Sequence, residues 1–321
     1  MRPFGVGARG NHVRDLQRRL TAAGFDPGLA DGRYGSRTAE AVAKFQGARG
    51  LDVDGICGPV TWGSLIEAGH HLGDRLLYLH TPMLRGDDIS EVQRRLGSLG
   101  FDAGRIDGIL GPETASAVEE FQRNVGVVPD GICGRETIVA LCGLSDRLDH
   151  AHSVHSLREQ EVLRAAPPTL AGWRVAVGEQ GGLDVVTAAL RRILAEHGAT
   201  VLTVHDPDWS RHARQANAFG AGLYLGVMLR AVPSEVCFFA TDGFESYPGH
   251  ELADRIAGEL AEPGLEVRGM RLPVLRETKM PAVLCRLDQR HWSSRRTPRV
   301  ARQVTAALTA WIATERMSTV G

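Results

Sequence analysis

Residues 16–46 read LQRRLTAAGFDPGLADGRYGSRTAEAVAKFQ, and residues 92–122 read VQRRLGSLGFDAGRIDGILGPETASAVEEFQ. DVDGICG follows the first stretch at 52–58 and VPDGICG follows the second at 128–134. The copies lie 76 positions apart without a gap, and about half of their aligned residues are identical. A self-similarity of this length marks one supersecondary unit present twice.

The identities have local physical meaning. Val13, Leu16 and Leu20, matched by Ile89, Val92 and Leu96, recur at helical spacing and predict a first amphipathic helix in each copy. Gly24 and Gly100 are placed to end it in the left-handed conformation. Asp31-Gly32 with Gly35, and Asp107-Gly108 with Gly111, supply a tight reversal, because Asp-Gly tolerates positive φ. A second helix follows, with Ala41, Val42, Phe45 and Gln46 on one face, or Ala117, Val118, Phe121 and Gln122; Ser36 and Pro112 suit its first turn. Asp54-Gly55 or Asp130-Gly131 then leads to a short last helix ending near Leu65 or Leu141. The glycines, Phe45 and Phe121 are read as fold-formers rather than ligand contacts.

With its paired helices, Phe-Gln and DGxxG turns, this pattern resembles the peptidoglycan-binding module, a small three-helix unit found on many cell-wall hydrolases, over roughly 10–68 and 86–144. The resemblance implies binding of peptidoglycan fragments or precursors by the module as a whole.

At 321 residues, 43% hydrophobic and 23% charged, the chain has ordinary globular composition and room for two or three domains. A net charge of −1 gives no electrostatic case for nucleic acid. Arg18-Arg19 and Arg94-Arg95 are read as solvated helix faces. Five cysteines, with Cys57 and Cys133 at equivalent repeat positions, imply small buried residues and no disulfide framework. MRPFGVGARGNHVRD lacks the apolar run of a secretory signal, and no stretch approaches the ~20 apolar residues of a membrane span. The expectation is cytoplasmic as written, or cell envelope if the start is truncated.

His150, His152 and His155 fall in a segment ending near Pro167-Pro168, with a helix expected over 156–165. No carboxylate or cysteine stands among them at ligand spacing, so the segment is read as a linker rather than a metal tract. From Trp173 the period changes. RVAVG, ATVLTV, GLYLGVML, EVCFFA, LEVRGM and PAVLCRLD alternate with helices near 184–197, 208–219, 249–261 and 298–315, which implies a mostly parallel, helix-covered α/β sheet. The expected division is modules at 1–72 and 73–147, a linker at 148–171, an α/β domain at 172–316 and a tail at 317–321.

The order of elements, Gly181-Gly182 after the first strand and LRETKMPAVL at 275–284 make this half resemble the zinc-dependent N-acetylmuramoyl-L-alanine amidases. That resemblance implies a zinc site of His, Glu and His, and a Glu general base after Met-Pro-Ala-Val. The corresponding positions here read Gln180, Met228 and Arg286, with Asp184 at best a substitute for the ligand Glu. An amide and a thioether are poor zinc ligands, and a guanidinium cannot take a proton at neutral pH. No catalytic residue and no cofactor is therefore expected at these positions. Glu179, Asp184, His205, His250 and His291 are the alternative ligands for a rebuilt zinc site. Cys237 and Cys285 lie inside apolar runs, where a thiol is inert. The sequence thus points to a pseudo-amidase that binds peptidoglycan or its precursors and contacts a cell-wall synthesis protein; the alternative is an active zinc amidase.

Overall fold

The structure, a computed structural model, describes residues 1–145, 163, 166–231 and 233–317, with side chains as far as 313. His150, His152 and His155 lie outside the described residues. The chain divides into two compact units, one built from Met1–Arg158 and Asp242–Phe244 and the other from Glu159–Thr241 and Glu245–Gly321.

The first unit holds the two repeats. α1 (Asn11–Ala22), α2 (Ser36–Ala48) and α3 (Pro59–Glu67) form the first module; α4 (Asp87–Ser98), α5 (Pro112–Val125) and α6 (Arg135–Ser145) form the second. Gly24 and Gly100 adopt φ of +87° and +90°, and the following Phe25 and Phe101 N–H groups reach back to the carbonyls of Leu20 and Leu96 at 2.8 and 3.0 Å. That geometry turns each phenylalanine inward, edge-on to Phe45 and Phe121 with centroids 5.4 and 5.6 Å apart. The helical stripe read from the sequence is the core: Val13, Leu16, Leu20, Val42 and Phe45 in one module, and Ile89, Val92, Leu96, Val118 and Phe121 in the other.

Each Asp-Gly turn is locked by a buried glutamine. Gln46 Oε1 accepts from the Asp54 and Gly55 N–H groups at 3.1 and 2.9 Å. Its Nε2 donates toward Asp54 Oδ1, the Ile56 carbonyl and the Thr61 hydroxyl at 2.8, 3.0 and 3.1 Å. Gln122 repeats this with Gly131, Asp130, Ile132 and Thr137. Gln17 does the same with Gly32, Asp31, Arg33 and Thr38, and Gln93 with Gly108, Asp107, Ile109 and Thr114. The four side chains are 1 to 2% exposed. A module therefore contains the same helix-Gln, Asp-Gly, Thr latch twice. Helical periodicity placed Gln46 and Gln122 on a face but does not reveal this, because the partners are backbone groups brought in by the turn.

Two further features follow only from the folded chain. Phe4 pairs its backbone with Cys57, and Leu77 with Cys133, so each module begins with a lead-in segment closing over its second turn. The lead-ins are three positions out of step with the 76-residue offset, which hid them from the repeat. Burial pushes the Cys57 and Cys133 thiols up to about 12, so they are packing groups and not nucleophiles. Arg49 at the end of α2 forms an ion pair with Asp87 at the start of α4, and Arg75 clamps the neighbouring Asp88 at 2.8 Å. Successive aspartates at one helix N-terminus thus tie the first module and the connecting segment to the second.

The second unit is an α/β sheet in the order β2-β1-β3-β7-β4-β5, with β6 on β4. Its strands are β1 (Arg174–Glu179), β2 (Thr200–His205), β3 (Leu223–Arg230), β4 (Glu235–Thr241), β5 (Phe244–Glu245), β6 (Glu266–Met270) and β7 (Ala282–Asp288). The β1–β2, β1–β3, β3–β7 and β4–β6 pairs are parallel and β4–β7 is antiparallel. The helices are α7 (Asp184–Glu196), α8 (Trp209–Phe219), α9 (Tyr247–Leu260), α10 (Pro273–Glu277) and α11 (Thr297–Met317). On one face α7, α9 and α11 cover Val175, Val177, Leu225 and Val283, and Trp311 of α11 packs on Trp173 just before β1. On the other face, α8 lies over Gly178 and Tyr224 with α10 packed against it. A Cβ on Gly178 would meet the Tyr224 hydroxyl at 2.2 Å and His212 Nδ1 at 2.3 Å, so only glycine lets α8 approach here. LRETKMPAVL, read from the sequence as a family mark, runs from the end of α10 to the start of β7.

Candidate functional site

Parallel strands deliver their carboxyl ends to one edge, where sites in such sheets are built. β1 ends on Glu179, β2 on His205 and β3 near Met228, and these ends carry most of the residues the sequence singled out.

Gln180 leaves β1 and donates its amide to the Pro207 carbonyl at 2.9 Å, which fixes it against the loop after β2. Met228 stands in register with Arg286 on the neighbouring β7. Arg286 is 2% exposed, and its Nη1 lies 2.7 Å from Glu235 Oε1 and 3.2 Å from Met270 Sδ. Glu235 is its register partner on β4, on the far side of β7 from β3. The guanidinium therefore reaches toward β4 and β6. The buried carboxylate of Glu235 draws it there. An amide committed to a carbonyl, a thioether and a paired guanidinium do not amount to a zinc donor set.

The alternative ligands part company. Glu179 and His205 are register partners on β1 and β2. Glu179 is 1% exposed; its Oε2 accepts from the Gly181 and Leu183 N–H groups, the latter at 3.1 Å, and its Oε1 lies 2.7 Å from His205 Nδ1. Burial works against its charge, but the imidazole and the two N–H groups outweigh it and hold the carboxyl below the usual carboxylate range. Asp184, the first residue of α7, brings Oδ1 to 3.7 Å from the same His205 nitrogen. His250 is elsewhere, stacked on Phe238 at 4.2 Å on α9, and His291 pairs with Asp288 at 3.1 Å beyond β7. Burial pushes the Cys285 thiol up to about 12, as its apolar run predicts.

Sequence periodicity gave no reason to single out His212, which steadies this edge from below. It is fully buried on α8; Nε2–H donates to the Asp206 carbonyl at 2.7 Å, and Nδ1 pairs with the Tyr224 hydroxyl at 2.8 Å. The carbonyl requires a proton on Nε2, the hydroxyl can serve Nδ1 in either role, and burial lowers the pKa below the ordinary histidine value, which favours the neutral ring. The unfolded chain therefore takes up this proton first as pH falls. The contribution of His212 to stability is complete above its unfolded pKa, about 6.5, and is lost as pH falls from there toward the lower folded value. Urea unfolding of the full chain from pH 8 to 5 is expected to show this slope, and His212→Gln is expected to flatten it by about one proton. An unchanged slope in the variant would show that the proton is taken up elsewhere.

Residues 9–65 and 85–141 match the family described as a putative peptidoglycan binding domain. The chain is 33% identical to the N-acetylmuramoyl-L-alanine amidase CwlM of Mycobacterium tuberculosis, over 86% of this chain and 79% of that protein. It is 37% identical to the N-acetylmuramoyl-L-alanine amidase CwlL of Bacillus licheniformis, over 41% of this chain and 42% of that one. Among solved structures, the apo form of the N-acetylmuramyl-L-alanine amidase Ami1 of Mycobacterium abscessus aligns with a TM-score of 0.37 at 14% identity, over 44% of this chain and 99% of that one.

Proposed function

Because this chain belongs to the N-acetylmuramoyl-L-alanine amidase family and carries two putative peptidoglycan binding domains, we propose that it is a pseudo-amidase. In this reading it binds peptidoglycan fragments or lipid-linked precursors without cleaving them, and regulates or recruits a protein of cell-wall synthesis. The supporting observation is Arg286: where the resemblance calls for a general base, the chain has a buried guanidinium committed to Glu235. A guanidinium cannot accept a proton at neutral pH, and Gln180 and Met228 supply no zinc chemistry in its place.

The test is turnover of a muropeptide by the full chain with added zinc. No release of L-alanine-bearing peptide is expected; release at a rate altered by Arg286→Ala would overturn the reading and establish the active zinc amidase instead.

Affinity for the wall polymer is assigned to residues 1–145. Two weak sites on one tied pair of modules gain avidity when the ligand is itself repetitive. Deleting either module is expected to weaken pull-down on polymeric peptidoglycan by about 100-fold, while binding of a monomeric fragment falls only about two-fold. Equal losses on both ligands would mean one composite site.

A further inference from the structure

We propose that Glu179, Asp184 and His205 form a site for a borderline divalent transition metal, of the zinc, cobalt or nickel kind, built from none of the three substituted family positions. Register brings Glu179 and His205 side by side at the ends of adjacent parallel strands. Gly181 and Gly182, at φ of +126° and +84°, fold the chain back so that the Gly181 and Leu183 N–H groups hold Glu179 Oε2. This leaves Oε1 aimed at His205 Nδ1, and the same turn starts α7 so that Asp184 Oδ1 comes to 3.7 Å from that nitrogen.

One imidazole nitrogen and two carboxylate oxygens thus lie within 4.8 Å of one another. Ligands at about 2.0–2.2 Å from a zinc-like ion stand roughly 3.2–3.6 Å apart. The 2.7 Å Glu179–His205 contact has to open slightly and the wider distances to close, within reach of Asp184 and His205, whose side chains are 79% and 45% exposed. Glu179 needs no search, because its second oxygen is already oriented by backbone donors, the arrangement that holds metal-binding carboxylates in place. The donor set suits zinc, cobalt or nickel and disfavours soft copper(I). Asp184 and His205 also line an open groove of about 600 Å³ along β2 and α7, together with Thr187, Arg191, Val201 and Thr203. The groove leaves room for a water or a ligand carboxylate at the remaining coordination position.

The site goes beyond the pseudo-amidase reading, and its test separates the two. Metal-stripped full chain is titrated with Co²⁺, followed by visible absorption, and with Zn²⁺, followed by calorimetry. One saturable site is expected. Asp184→Asn, at an exposed position with little bearing on folding, and His205→Ala are each expected to weaken binding at least about ten-fold. His250→Ala and His291→Ala are expected to leave it unchanged. Absence of saturable binding by the native chain, or binding that survives both Asp184→Asn and His205→Ala, overturns the site and leaves the pseudo-amidase reading standing. Saturable metal with no muropeptide turnover supports both, whereas turnover would keep the site and overturn that reading.

Discussion

Arg286→Glu, the single change that writes a carboxylate back at the family's general-base position, is expected to destabilise the second unit by at least about 3–5 kcal/mol and not to create activity. Glu235 is 8% exposed and faces Arg286 across the antiparallel β4–β7 pair at 2.7 Å. Removing the guanidinium leaves the largely buried Glu235 carboxylate to the more distant Arg268, at 3.6 Å, as its counter-charge; replacing it with glutamate sets two carboxylates together in a poorly hydrated place. Urea unfolding followed by tryptophan fluorescence measures the loss, because Trp173 and Trp311 are packed in this unit's core. The control is the double variant Glu235→Gln with Arg286→Leu, which removes both charges and is expected to recover most of the stability, since replacing a buried pair by neutral groups is often near neutral. A cost below about 1 kcal/mol for Arg286→Glu would show that the pair does not hold this part of the sheet. Adding Gln180→His and Met228→His alone therefore does not restore the family site: Glu235 has to change as well.

Gln46→Leu is expected to unfold the first module near physiological temperature. It deprives the Asp54 and Gly55 N–H groups, the Ile56 carbonyl and the Thr61 hydroxyl of one shared partner. Stranded polar groups cost about 1–3 kcal/mol each where water cannot reach them. The outer side of the turn is exposed, so a net loss of about 3 kcal/mol is expected rather than the full sum. For a module of this size that is about 12–24 °C in Tm. Scanning calorimetry of the full chain is expected to split off an early transition in Gln46→Leu, and Gln122→Leu is expected to do the same for the second module. A Tm within about 3 °C of the native value would mean that leucine packing and water replace the latch. Polymer binding is expected to fall with the early transition, as in the module deletions.

The sequence by itself determined the repeat, its helices and the longer strands and helices of the second unit in their order along the chain, but not the short α10 and β5. Leu16, Leu20, Val42 and Phe45 recur at helical spacing and are the module core; RVAVG, GLYLGVML and PAVLCRLD are continuous apolar runs and are central strands covered on both faces. These features are local, set by side-chain period and by turn residues such as Gly24, so one copy of the chain read end to end contains them. The substitutions Gln180, Met228 and Arg286 were equally legible, because they are identities at positions located by a motif. What the tertiary structure decided is where those side chains go. That β4 runs antiparallel beside β7, so that Arg286 finds Glu235, cannot be read from either strand, since pairing depends on order across the sheet and not along the chain. Glu179, Asp184 and His205 were named together with His250 and His291, with nothing in the spacing to separate the three from the two; parallel register joined the first to the third, and the Gly181-Gly182 turn delivered the second. His250 and His291, of the same chemistry, were sent to other surfaces by the same topology. Spacing along the sequence fixes which faces are apolar, because burial is a property of period. It does not fix which polar groups meet, because those meetings require two distant backbones held in one register.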